Sequence, residues 1–190
     1  MSGRAGGNLR LRRVARLRGA GVVLVVAGLL AACGGGTAPE GFVRHDGETF
    51  ALAHPEGWEV GQREGESFAA LGETGAGGVR QAAIVQVDPG FSGDFGVTVD
   101  GLNDLANVEF TDRQVVADDE LDVEGAQAGR LLQTAYRTTA EDGATVDMRQ
   151  FDLFALSGDE TLHYLRVNAP RELFDGVALR QIVDSFALSG

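Results

Sequence analysis

Cys33 is the sole thiol of the chain. It closes the apolar run Gly19–Ala32 and opens a glycine-rich stretch, CGGGTAPEG. With no second cysteine it cannot form an internal disulfide, so its chemistry is that of a single thiol open to modification. Three histidines, His45, His54 and His163, lack the i, i+3 or i, i+4 spacing of a helical metal motif. They read as surface or satisfied strand histidines. The densest acidic run is Asp118, Asp119, Glu120, Asp122 and Glu124. Taken as a calcium loop starting at Glu120, it puts Gly125 correctly at the sixth place. Leu131 then falls at the twelfth, where a bidentate Glu belongs, so the motif fails and a solvated edge strand is expected.

Nucleophilic chemistry has little to work with. Gly65-Glu66-Ser67-Phe68-Ala69 approaches the G-x-S-x-G elbow, but it ends in Ala and lacks the strand-to-helix context that exposes such a serine. No glycine-rich phosphate loop opens a helix, since Gly72–Gly78 leads into a strand. Pro55-Glu56-Gly57-Trp58 reads as a turn followed by a core tryptophan. The chain is therefore expected to be no enzyme and to carry no cofactor and no metal.

The segment before Cys33 explains the thiol. Arg4, Arg10, Arg12, Arg13, Arg16 and Arg18 form a basic stretch without an acid, followed by 14 uncharged residues, Gly19–Ala32. As a helix at about 1.5 Å per residue, that run spans roughly 21 Å, short of a bilayer core of about 30 Å. Basic region, short apolar region and small residues come in the order of an export signal. Leu30-Ala31-Ala32-Cys33 resembles the lipobox of bacterial lipoproteins. The resemblance implies a diacylglyceryl group on the Cys33 thiol and cleavage before it. It also implies a protein held to the extracytoplasmic face of the cell membrane. Two acyl chains suffice for stable anchoring, at about 0.8 kcal/mol per buried methylene. The expected organisation is a signal over 1–32, lipidated Cys33 with a flexible tether over 33–41, and a single domain over 42–190. A tether of about eight such residues reaches about 15 Å, which keeps the domain near the membrane.

Charge narrows the partners. Losing six arginines and no acids leaves 10 basic against 28 acidic groups, a net charge of −18. This argues against nucleic acid as a partner and against adhesion to an anionic lipid surface, both recognised through cationic patches. Arginine without lysine, with abundant Ala, Gly and Val, points to a GC-rich bacterium such as an actinobacterium.

The elements that must position any site are mostly strands. Asp46-Gly47 marks a hairpin, with Phe50 and Leu52 on one face of the strand that follows. Trp58 and Val60 begin another face. Strands are expected over Ser67–Leu71 and Ala82–Val87, with Gly72–Gly78 and Phe91–Gly96 as loops. A helix is expected over Thr98–Phe110, capped by Thr98 or Asp100, with Leu102, Leu105 and Ala106 inward. A hairpin turning at Glu124-Gly125 joins strands carrying Val115 and Leu121 to one carrying Leu132, Thr134 and Tyr136. Strands over Thr145–Leu156 and Thr161–Asn168 follow. A closing helix over Arg171–Phe186 carries the stripe Phe174, Ala178, Ile182 and Phe186, with Gly176 as a kink or the true start. This pattern predicts an α+β fold, one antiparallel sheet covered by helices.

Phe50–Val60, FALAHPEGWEV, resembles the opening of PsbP-like domains. Val123–Ala128 and Ile182-Val183-Asp184-Ser185-Phe186 resemble their central hairpin and closing helix. The resemblance runs from about Phe42 to Leu188. It implies an α-β-α sandwich, an antiparallel sheet of about six or more strands flanked by helices. Members of that family include photosystem extrinsic subunits, a nuclear-import accessory factor and bacterial lipoproteins of the LpqN type, with binding or assembly roles. Two functions follow as expectations. One is a non-catalytic adaptor or assembly factor for an envelope protein partner. The alternative is a carrier or sensor of a lipid or small apolar ligand, with Phe91 and Phe95 exposed near it. The carrier requires an apolar cavity of about 300 Å³ or more.

Overall fold

The computed structural model describes residues 38–62 and 64–189. The segment 1–32 expected as a signal, the expected lipobox residues Leu30, Ala31 and Ala32, the expected lipid attachment at Cys33 and the expected tether up to residue 37 lie outside the described residues.

The α+β class holds, but the strands form two sheets rather than one. The smaller contains β1 (Phe42–Asp46), β2 (Phe50–Pro55) and β10 (Ala187–Leu188), in the order β1-β2-β10. The larger contains β3 (Glu59–Gly61), β4 (Phe68–Thr74), β5 (Arg80–Asp88), β6 (Thr111–Glu120), β7 (Ala126–Thr139), β8 (Thr145–Ser157) and β9 (Leu162–Pro170). Its order is β3-β4-β5-β9-β8-β7-β6, with antiparallel neighbours. Two helices complete the described chain, α1 (Phe95–Glu109) and α2 (Gly176–Asp184).

Turn chemistry sets the register. Asp46-Gly47 closes the first hairpin, with the Gly47 N–H on Phe50 O at 2.8 Å and Asp46 opposite Ala51. Gly125 has φ +80°, and a Cβ there would lie 2.5 Å from Leu188 O. The β6–β7 turn thus meets β10 through bare backbone, joined by the Leu188 N–H to Glu124 O at 2.8 Å.

The stretch Gly72–Gly78, expected as a loop, instead extends β4 to Thr74 and then makes a 3-10 turn over Ala76–Gly78. Trp58 is half-buried against the core, and its indole occupies the space a Cβ on Gly72 would fill. Val60, on the face that Trp58 begins, is 53% exposed.

Both helices start and end differently from the sequence reading, for local reasons. Asp94 caps α1, its Oδ1 accepting from the Val97 N–H at 2.9 Å, so the helix begins three residues before Thr98. The glycine-rich loop shortens accordingly and Phe95 becomes helical. Asp175 caps α2 by accepting from Val177 and Ala178 at 2.9 and 3.1 Å, which makes Gly176 the true start. Arg171–Leu173 form a separate 3-10 turn. Ser185 ends α2, its hydroxyl donating to Ile182 O at 2.8 Å and accepting from the Ala53 N–H at 2.7 Å. The chain then enters β10 beside β2.

Alternation along the central strands divides their side chains between two environments. Phe151, Leu153 and Ala155 of β8 join Leu165 and Val167 of β9, together with Phe50, Leu52, Phe68 and Val85. Onto these pack Leu179, Ile182 and Val183 of α2. Each fully buried Leu or Phe there contributes about 1.5–3 kcal/mol, and this cluster is the main core. Residues of the other parity face α1, where the apolar cluster is much smaller: Val99, Leu132 and Phe154, with Phe95 and Tyr164 at its edge.

Candidate functional site

The site is built on the α1 side of β7, β8 and β9. Register places Leu132, Asp152 and Arg166 in one row across the three strands, and Ile84 of β5 extends it. The next row toward the α1 N-terminus holds Arg130, Phe154 and Tyr164, and the row on the other side holds Thr134, Gln150 and Asn168. Aromatic and polar residues therefore share one surface. The Phe154 and Tyr164 rings stack at 4.7 Å.

A hydrogen-bond chain runs through these rows. Tyr136 OH donates to Gln150 Oε1 at 3.0 Å. Gln150 Nε2 donates to both oxygens of Asp152, at 2.8 and 2.7 Å. Tyr164 OH donates to Asp152 Oδ1 and accepts from Arg166 Nε at 2.8 Å. The Asp152 side chain is 4% exposed and that of Arg166 31%, with 3.5 Å between Oδ1 and Nε. Burial pushes the Tyr136 hydroxyl up to about 12. Burial, reinforced by the Asp152 charge, raises Tyr164 well above its ordinary value. Both phenols therefore keep their protons and act as donors. Burial works against the Arg166 charge, but Tyr164 and Asp152 outweigh it and hold the guanidinium protonated.

Helix α1 covers this surface incompletely. Val99 is its one buried residue among those described. Polar arms hold it: Arg130 donates to Asp100 of α1 at 2.8 Å and to both oxygens of Asp118 at 2.8 and 2.7 Å. Arg113 donates to the side chains of Asn103 and Asn107 at 2.7 and 2.8 Å. Leu102 and Leu105, expected inward, are 40% and 68% exposed. Polar sheet residues beneath them leave no apolar surface wide enough to pull the second half of the helix down. The result is a groove of about 570 Å³. Leu102, Leu105 and Ala106 form one wall, Val87, Leu162 and Phe154 the other, and Asp152, Tyr164 and Arg166 the floor.

Of the described residues singled out in the sequence for chemistry, Gly65 lines the groove, while the histidines, the acidic run and Ser67 lie elsewhere. His54 and His163 are buried. His54 Nδ1 lies 3.1 Å from Pro55 O, and His163 Nε2 lies 3.0 Å from Thr49 Oγ1. His45 sits 4.3 Å from the Phe68 ring. Burial first, then the neighbouring His54, lowers the His45 pKa. Among the described residues no group of three or more His, Cys, Asp and Glu could hold a metal ion. Residues 120–131 form the β6–β7 hairpin rather than a calcium loop, with Glu120 opposite Arg130. Strand β6 is an edge strand, as its charge suggested, and hydrogen bonding from Arg130 lowers the Asp118 pKa. Ser67 leads directly into β4, its N–H on Val85 O at 2.8 Å. Phe91 and Phe95 are half-buried rather than exposed, and Phe95 packs beside Val99.

Gln150, Asp152, Tyr164 and Arg166 were not among the sequence candidates. Polar residues at every second strand position read as a solvent face. The usable signal is Gln150–Leu156, QFDLFAL, where Phe151 and Leu153 have one parity and Phe154 the other. A strand apolar on both sides is covered on both, and Asp152 within it must be paired.

No family model matches the chain, and no curated protein matches it in sequence. Solved structures do. The crystal structure of LpqN, described as involved in cell envelope biogenesis of Mycobacterium tuberculosis, superposes with a TM-score of 0.55 at 13% identity, over 78% of this chain and 91% of that one. A point mutant of the protein Mog1 gives 0.51 at 11%, over 77% and 94%. The Ran-binding protein Mog1p of Saccharomyces cerevisiae gives 0.49 at 11%, over 73% and 89%. At such identities the likeness is one of fold, and the chain has an LpqN-like fold.

Proposed function

We infer that the chain is a lipid-anchored envelope protein that works by binding a small apolar or amphiphilic ligand, with the α1 groove as its site. One observation carries this reading. The groove holds about 570 Å³, inside the range of about 300–1,000 Å³ of small-ligand sites and above the minimum a carrier needs. Apolar walls over a polar floor are the usual composition of such a site. Binding is favoured over catalysis because the floor carboxylate is already engaged. Both oxygens of Asp152 accept protein donors, so neither is held ready to take a proton from a substrate. Cys33 within Leu30-Ala31-Ala32-Cys33 supports the membrane anchor. The described involvement of LpqN in cell envelope biogenesis supports the compartment. The PsbP-like resemblance, with its α-β-α sandwich, supports an accessory role. Native mass spectrometry of the intact chain, purified from its host envelope in mild detergent, tests the reading. A discrete bound mass is expected, and a bare protein in repeated preparations overturns it.

The adaptor reading has its own observation. Val97 and Val108 on the outer side of α1 are 71% and 87% exposed, and Val116 of the β6 edge strand is 58% exposed. These suit a protein partner. Crosslinking in cells should then give a discrete heterologous product, and a clean monomer at native abundance counts against it.

A further inference from the structure

We propose that the groove under α1 selects an amphiphile with an anionic head, a carboxylate or a phosphate monoester, seated on the Arg166 guanidinium with its tail along Leu102, Leu105 and Leu162. This rests on the groove being the binding site and goes on to name the ligand chemistry.

The hydrogen-bond inventory of the floor carries the argument. Both Asp152 oxygens accept from Gln150, and Oδ1 also accepts from Tyr164 OH. The Tyr164 oxygen accepts from Arg166 Nε at 2.8 Å, and Gln150 Oε1 accepts from Tyr136 OH at 3.0 Å. Each of these acceptors thus already has a donor. Among the described residues the Arg166 Nη groups have no hydrogen-bond acceptor, while the side chain lines the groove and is 31% exposed. What the floor presents to a ligand is therefore donors alone, in a planar fork. That fork matches two oxygens of a carboxylate or phosphate. A cationic head seated on the floor would meet the guanidinium with no free acceptor beside it, and the carboxylates that could take it, Asp88 and Glu109, are exposed members of the lining.

Three other charged residues line the groove. Asp88 and Glu109 are exposed and so are solvated and screened. Arg113 adds a second cation, with its Nε buried and unpartnered. Tyr164 and Asp152 engage Arg166 at Nε, which leaves its two Nη groups for a ligand. The remaining lining is mainly apolar, with Gln86 and Asn103 as its neutral polar members, which suits one flexible tail and disfavours a free inorganic anion.

The test uses the full chain in phosphatidylcholine nanodiscs, with methyl-labelled leucine and valine, and empty nanodiscs as the blank. Octanoate, octyl phosphate and 1-octanol are titrated separately, and the methyl shifts of Leu102, Leu105 and Leu162 are followed. At least one anionic probe should bind about tenfold or more tightly than 1-octanol. The stronger of the two identifies the head. Arg166→Lys should weaken that preference by removing the fork. If that variant fails to fold, Leu105→Glu decides, because Leu105 is 68% exposed and its substitution leaves the core intact. It should abolish the anionic preference, and a preference that survives it overturns the placement. Equal binding of all three probes overturns anion selection and leaves the groove as a binding site. No methyl shift with any probe overturns both.

Discussion

At the scale of single residues, the structure concentrates buried polarity on one side of the large sheet. Tyr136, Gln150 and Asp152 are 6%, 1% and 3% exposed, and each depends on the next for its hydrogen bond. Tyr136→Phe should leave Gln150 Oε1 without its donor and cost about 1–3 kcal/mol, read as a lower urea midpoint with an unchanged slope. On the other side, His163 is 1% exposed, and burial lowers its pKa from the ordinary 6.5, with the Thr161 backbone and then Asp159 opposing that shift. Its ring faces Thr49 and the Phe186 ring, with Nδ1 unpartnered. The unfolded chain thus takes up a proton more readily than the folded one below the ordinary histidine range. Stability from this group is complete above about pH 6.5 and falls as the pH drops from there toward the lowered folded value. His45, lowered in the same direction, adds to the slope. His163→Gln should flatten the decline in urea midpoint between pH 7 and 5, and an unchanged decline would show that His163 does not drive it.

Among the elements, α1 is the loosest attachment. Its 15 residues meet the sheet through Val99, Phe95 and two arginine arms. An exposed ion pair such as Arg130–Asp100 contributes about 0–1 kcal/mol, and a hydrogen bond such as those from Arg113 to Asn103 and Asn107 about 1 kcal/mol, so Val99 carries a large share of the docking. Val99→Ala removes two methyl-sized groups from a fully buried site and should cost about 1.5–3 kcal/mol. Hydrogen exchange in α1 should accelerate more than in β8 and β9, whereas a uniform change would mean that α1 unfolds only with the sheet. The turns that order the strands were legible: Asp46-Gly47 and Glu124-Gly125 both fall where one strand of a pair gives way to the next. So was the long strand of Thr145–Leu156. The inward face of α1 was not. Leu102 and Leu105 have the period of a packed helix, but their contacts depend on what the sheet offers, and the strands beneath offer Asp152, Tyr164 and Arg166. Helix ends failed for another reason. Asp94 and Asp175 each cap a helix next to a glycine, and residues between a cap and an apolar stripe carry no period.

For the whole molecule, the sequence speaks most directly where its sites do not depend on packing. The lipobox expectation at Leu30–Cys33 rests on four consecutive residues, so it is legible without any fold. The groove is assembled from α1, β5, β8 and β9, and two strand pairings, β5 with β9 and β9 with β8, bring together residues as distant in sequence as Gln86 and Arg166. The two scales meet in one prediction. If Cys33 carries the acyl chains, the domain beginning near Phe42 is held within about 15 Å of the bilayer by the glycine-rich tether, and the groove draws its ligand from that surface. Cys33→Ala should abolish the acyl mass on the mature chain and shift the protein from the membrane fraction to the soluble one or leave it unprocessed. If instead Cys33→Ala remains with membranes and the unsubstituted chain shows no added mass, the anchor is something other than a lipid on this thiol. The apolar run Gly19–Ala32 would then have to hold the protein alone, at roughly 21 Å of helix against a core of about 30 Å. Of the two ways of meeting the bilayer, only the acylated cysteine leaves the domain tethered without needing that short segment to span it.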